Sequence, residues 1–252
     1  MLHDKDAPLA SLLFQSIERS KVPFTSFAVV VPPESEYVTS SVVPKFAKVF
    51  VVPEKIPESG YLSQQLVKLY SDLYLDEEYI LHVESDSIFT QWKHDCFFDE
   101  IGRIRMFCKP FSAGAEDVWK KGTEYLLHRA VKEDCLQSTP FLYRRHVFAD
   151  LRADIYARHG MNIDNLVKEK YLQSHLIGWK AENLLFSEFN TLNHFWRGAF
   201  PNELKVHKNT EKATCSIHLG HEIDRNYDLV NPKLVFAYFQ LAYLSFANMT
   251  QD

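Results

Sequence analysis

Glycine is scarce, with eight residues in a chain of 252. Neither G-x-G-x-x-G nor G-x-x-x-x-G-K-[ST] occurs, so a dinucleotide fingerprint and a phosphate-cradling P-loop are both excluded. Cysteine is sparse as well. Cys96, Cys108, Cys135 and Cys215 stand far apart and form no C-x-x-C. That spacing argues against a disulfide framework or a structural zinc site, and for reduced thiols. Long apolar runs are missing too: the longest, residues 234–247, is interrupted by Gln240 and Ser245 and falls short of the about 20 residues that cross a bilayer. The first ten residues contain no apolar signal-peptide core. Together these absences predict a soluble, cytoplasmic protein. Positive charge is not in excess, and a net charge of −5 excludes a basic-faced, non-specific nucleic-acid binder.

What is present is an ordinary globular balance, 46% hydrophobic and 24% charged, in a length that suits one large α/β domain or two small ones. Leu9, Leu12, Leu13 and Ile17 predict an amphipathic helix over residues 9–18. An apolar run at 27–31, stopped by Pro32-Pro33, and a second within 42–52, also closed by a proline, read as buried strands. Further strands are expected at 79–83 and 104–107. Helices are expected at 115–131, across Val147, Leu151, Ile155 and Tyr156 up to Gly160, and after Asn231-Pro232. The aromatics of that last helix, Phe236, Phe239, Tyr243 and Phe246, read as core. Strand and helix alternating in this way predict a parallel sheet.

The most informative stretch is residues 61–89, YLSQQLVKLYSDLYLDEEYILHVESDSIF. Leu62, Leu66, Leu69 and Leu73 make an apolar helical stripe, and Tyr61, Gln65, Lys68 and Asp72 make a polar one beside it. A polar stripe bordering the core suits the wall of a cleft. The run 79–83 then reads as a buried strand ending in Glu84-Ser85-Asp86. Strand ends are where open α/β sheets bind ligands, and two carboxylates one residue apart suit a hard divalent cation. An acid-x-acid pair is also a common solvated strand end.

Gly60, Tyr61, Gln64, Gln65, Leu66, Lys68 and Leu69, followed by a strand and an acid-x-acid pair, resemble the metal-site region of GT-A glycosyltransferases. The likeness is to a small soluble, bacterial or viral type of that family. Glu84 stands where the family more often has Asp. A second likeness lies in SEFNT, residues 187–191, which resembles the family's Ser-Glu-aromatic-x-Thr element, although Leu192-Asn193 replaces its usual Tyr-Gly.

The resemblance implies a single GT-A, Rossmann-like α/β domain over residues 1–252: a central, mostly parallel sheet flanked by helices. Its donor part would span about 1–110 and its acceptor part about 111–252. It implies transfer of a sugar from a nucleoside diphosphate sugar (UDP- or GDP-linked) to a glycan hydroxyl, with Mn²⁺ or Mg²⁺ held by Glu84, Asp86 and His218, and His221 in reserve. Asp4, Gln65, Lys68 and Asp86 would meet the donor, and Glu188 would be the catalytic base. Glu188 also reads as part of a helix N-terminal cap. Arg144, Arg145 and His146 would meet a diphosphate or simply end a helix. The family opens with a strand before its first helix, whereas only six residues precede the helix here. Either that strand is very short or the chain is a domain of a longer polypeptide. Two other readings stay open: a nucleotidyltransferase-like metal enzyme, and a non-catalytic sugar- or nucleotide-binding domain.

Overall fold

The computed structural model describes residues 1–56, 59–111, 116–136, 140–176, 186–208 and 216–218. The chain divides into two compact units, Met1–Ile217 and His218–Asp252, and the elements described below belong to the first apart from His218. The helix expected after Asn231-Pro232 lies outside the described residues, as do His221 and Cys215.

Helix α1, Ala7–Arg19, forms where the leucine spacing requires and buries Ala10, Leu13, Phe14 and Ile17. Strands β1, Ala28–Val31, and β2, Lys48–Val51, pair in parallel, with Ala28 opposite Lys48 and Val31 opposite Val51. Short α2, Glu36–Ser40, lies between them. The Leu2 N–H donates to Val30 O at 2.7 Å, so the segment before α1 lies beside β1.

Helix α3, Gly60–Lys68, starts at Ser59, whose hydroxyl accepts from the Leu62 N–H. Leu62, Leu66 and Leu69 are buried as expected, but Leu73 is 66% exposed. The helix stops at Lys68, and the chain tightens into a 3-10 turn over Ser71–Leu73. Two arginines take the carbonyls freed at this end: Arg152 donates to Leu69 O at 2.6 Å, and Arg145 to Leu75 O at 2.9 Å and Asp72 O at 3.0 Å.

The next strand, β3, Tyr79–His82, occurs where the apolar run predicts, but it pairs antiparallel with β8, Phe141–Arg144. β4, Ser87–Phe89, pairs with β10, Ser216–His218. β5, Ile104–Phe107, runs parallel to β9, Leu204–His207, while β6, Lys109–Pro110, runs antiparallel to β7, Glu133–Asp134. The architecture is mixed α/β and partly parallel. Among the described residues the strands form pairs rather than the single central sheet expected. No strand there exceeds four residues, and Pro32, Pro53 and Pro110 remove donors at strand ends.

The remaining helices are α4, Glu116–Leu127; α5, His146–His159; α6, Ile163–Leu176; and α7, Glu188–Ala199. Gly160 ends α5 at φ 71°, the left-handed cap that glycine adopts without a Cβ clash. One apolar core joins α3, β3, β8, α5 and α7; a smaller one joins α1, β1 and Phe89. α7 is the central helix, buried from Glu188 through Trp196.

One sequence expectation changes here. Cys108 and Cys135 form a disulfide. In the β6–β7 register Lys109 faces Asp134, so the next residues outward, Cys108 and Cys135, fall opposite each other. Only that pairing brings together cysteines that look unrelated in sequence, and for these two it overturns the expectation of reduced thiols, whereas Cys96 is a free, buried thiol. The basic cluster stands at the start of α5, as the helix-end reading has it, and pairs with acids that are largely exposed. Arg144 pairs with Glu78 at 2.7 Å, Arg145 with Asp76 at 3.0 Å, and His146 meets Asp150 at 2.8 Å and Glu203 at 3.3 Å.

Candidate functional site

The polar stripe of α3 faces the start of α7. The Glu188 N–H donates to Gln65 Oε1 at 3.1 Å, and the Tyr61 hydroxyl donates to Phe186 O at 3.2 Å. One turn along, Lys68 Nζ lies 2.7 Å from Glu188 Oε1 and 3.2 Å from Glu84 Oε1. It also sits over the Phe189 ring, 4.6 Å from the centroid. Four residues singled out in the sequence, Gln65, Lys68, Glu84 and Glu188, thus converge from three separate segments. Exposure is graded along the cluster: the Glu188 side chain is 2% exposed, Lys68 12% and Glu84 29%. The buried end lies at α7 and the wet end at the turn after β3.

α7 holds its first residue firmly. Ser187 caps the helix, accepting from the Asn190 N–H at 3.1 Å, and the Thr191 hydroxyl returns to Ser187 O at 2.8 Å. Asn190 accepts from the Cys135 N–H at 2.7 Å and donates to Asp134 Oδ1 at 3.0 Å, while Asn193 donates to Cys135 O at 3.0 Å. Glu188 is therefore both the first residue of a capped helix and a buried acid in the cluster. The two readings of SEFNT are compatible.

Burial pushes the Glu188 carboxyl above the ordinary range, against the pull of Lys68 toward ionisation. For Lys68 burial favours the neutral amine, but Glu188 and Glu84 together outweigh it and hold the ammonium protonated well above its usual range. His82, at the end of β3, stacks on Phe148 and meets Tyr143 and Phe189 edge-on. Burial and then the Lys68 charge lower its pKa to about 3, so the ring is neutral. The Tyr143 phenol is pushed up by burial and by Glu188. His82 Nε2 and Tyr143 Oη are buried with no hydrogen-bond partner among the described residues. Sequence reading missed both. The signal was there in the apolar strand 79–83, where a histidine in the middle of a buried run is out of place.

Asp86 is half-buried in the turn between β3 and β4. Asp4 opens a 3-10 turn, Asp4–Asp6, and His218 ends β10; the side chains of both lie outside the described residues. Glu84 and Asp86 both carry carboxylate oxygens, the ligand type that Mg²⁺ and Mn²⁺ take. Glu84 Oε1 is engaged by Lys68. Among the described residues, the group of three metal-ligand side chains that converges lies elsewhere, at His3, Glu34 and Glu54.

No protein-family model matches this chain, and no curated protein does.

Proposed function

We propose that the protein is a metal-dependent glycosyltransferase that moves a sugar from a nucleoside diphosphate sugar to a glycan hydroxyl. The observation that carries this reading is the junction at Lys68. Both stretches that resemble GT-A enzymes, 60–89 and 187–191, contribute to one graded cluster of charge: Gln65, Lys68, Glu84 and Glu188. A mixed α/β fold with partly parallel strand pairs is compatible with a GT-A domain.

A divalent cation bound at Asp86 and Glu84 would supply charge neutralisation for the leaving diphosphate. The chain's own residues do the rest. Lys68, held protonated between two acids, fixes the orientation of Glu84 and keeps a positive charge between the two carboxylates. Gln65 locks the backbone of Glu188. Glu188, with its raised pKa, accepts the proton of the acceptor hydroxyl if the sugar inverts, and contacts the acceptor if it is retained.

A second reading has one observation behind it. Glu188 is almost fully buried and already paired, as a structural ion triad would be. On that reading the domain binds a sugar or nucleotide without turning it over.

A thermal-shift panel separates these readings: UDP, GDP, ADP, CMP and their common sugar conjugates, each with Mn²⁺ and with EDTA. A ligand at 100 times its Kd adds about 2.7 kcal/mol. A shift with one diphosphate that needs the metal, together with sugar release in the presence of acceptor glycans, supports the transferase. A metal-dependent shift without turnover supports the binding domain, and a flat panel removes the donor site.

A further inference from the structure

We infer that the protein carries a second divalent-metal site, formed by His3, Glu34 and Glu54, that takes a first-row transition-metal ion such as Zn²⁺ or Mn²⁺. One ligand atom from each of these side chains lies within 4.8 Å of the other two. Donors around one ion at about 2.0–2.3 Å stand no more than about 4.6 Å apart, so small side-chain movements bring this group to that span.

Three separate segments build the group, and backbone bonds anchor each. His3 follows Leu2, whose N–H is bonded to Val30 of β1. Glu34 lies in the 3-10 turn Pro33–Ser35 directly after β1, where Pro32 and Pro33 restrict the backbone and the Ser35 N–H returns to Pro32 O at 3.0 Å. Glu54 follows β2 and Pro53, with Val52 N–H bonded to Val31 O at 2.9 Å. Because β1 and β2 are parallel, both glutamates emerge at the same, carboxyl edge of the pair. That edge is where α/β proteins place ligands. Glu54 Oε1 also rests against Gly60, where an added Cβ would stand 3.4 Å away, so the first turn of α3 limits where this carboxylate can go.

The chemistry selects the ion. Two carboxylates this close repel unless a cation stands between them. An imidazole nitrogen beside them favours Zn²⁺, Mn²⁺ and their neighbours over Mg²⁺ and Ca²⁺, which prefer oxygen alone. Three protein ligands leave further positions to water or to an oxygen of a bound molecule, the arrangement of an open site rather than a closed structural one. His3 and Glu54 are half-buried and Glu34 is exposed, so the ion has a route in from solvent. The site is distinct from the Glu84–Asp86 pair and shares no ligand with it.

The test uses full-length, tag-free protein and metal alone, with no nucleotide. Titration calorimetry with Zn²⁺, Mn²⁺ and Mg²⁺ is followed by Co²⁺ absorption as a report on ligand type. The wild type should bind Zn²⁺ or Mn²⁺ with one ion lost on replacing His3→Ala, Glu34→Gln or Glu54→Gln, each weakening that site at least tenfold. Glu34→Gln, being on the surface, keeps the fold, which circular dichroism checks. Asp86→Asn should leave this ion in place whether or not the donor-site reading holds. Absence of binding in the wild type, equal binding by the three variants, or loss only in Asp86→Asn would each overturn the assignment.

Discussion

Lys68 and Glu188 meet at 2.7 Å in the interior, one from the last turn of α3 and the other from the first turn of α7. In this contact both charges are nearly out of water, whereas Glu84 remains partly wet. A buried pair of this kind adds little over an apolar pair, but breaking it by removing one partner is costly.

Lys68→Met should therefore lower stability by about 3–5 kcal/mol in urea unfolding, because it removes the ammonium 2.7 Å from the buried Glu188 carboxylate. Glu84→Gln should cost about 1 kcal/mol or less, since its carboxylate is screened by solvent. Lys68→Met combined with Glu188→Leu should recover most of the loss. If the double variant is no more stable than Lys68→Met alone, the coupling inferred from the geometry is wrong.

At the donor site, Asp86→Asn should abolish any metal-dependent thermal shift with nucleoside diphosphates while leaving the fold intact by circular dichroism. Glu188→Gln should keep the donor shift and lose turnover by about 10²–10⁴-fold, the range for loss of a general base. Full activity in Glu188→Gln would remove it from the chemistry.

The neutral ring of His82 gives the protein a pH dependence of defined sign. Its pKa is lowered from 6.5 to about 3 in the folded chain. Above pH 6.5 the ring is neutral in both folded and unfolded chains, and its contribution is fully present. As pH falls, the unfolded chain takes up a proton that the folded one refuses, so stability is lost at up to about 1.4 kcal/mol per pH unit until about pH 3. Glu188, raised by burial, works in the opposite sense at the acid end. Comparison with His82→Leu isolates the ring: between pH 6.5 and 4.5 the wild type should lose about 2–3 kcal/mol more than the variant. Parallel losses in the two proteins would show that the ring is protonated in the fold.

The disulfide joins Cys108 and Cys135, at a sequence separation of 27. Closing a loop of that length in the unfolded chain is worth about 3–4 kcal/mol. Cys108→Ser/Cys135→Ser should lower stability by about that amount. Because Cys135 holds Asn190 and Asn193 of α7 through its backbone, the same change should raise amide exchange at the start of that helix. Unchanged exchange there would mean that α7 is fixed independently of the bridge.

Among the described residues, no helix is long and apolar enough to cross a membrane, as the lack of long apolar runs led one to expect. Several elements could be read directly from local pattern. α1, β1, β5, the start of α3, and α5 with its Gly160 stop all lie where period, capping residue and proline put them, because those signals act within one or two turns of chain. The residues of the cluster were legible too: a polar stripe beside a leucine stripe marks Gln65 and Lys68, and a strand end marks Glu84.

Partners were not legible. Tyr79 to His82 reads the same whether its neighbour is parallel or antiparallel, and β8 decides it through hydrogen bonds from a distant segment. Leu73 continues the leucine spacing, yet Arg145 and Arg152 capture carbonyls on either side of it, at Leu69, Asp72 and Leu75, and the chain turns away. Cys108 meets Cys135 only because of the β6–β7 register, and His3, Glu34 and Glu54 meet only because two parallel strands end side by side. The sequence by itself determined the local elements and named Gln65, Lys68, Glu84 and Glu188. The tertiary structure alone decided that one lysine stands between two of those acids, because an ion pair is a matter of distance, and distance between remote segments is set by packing.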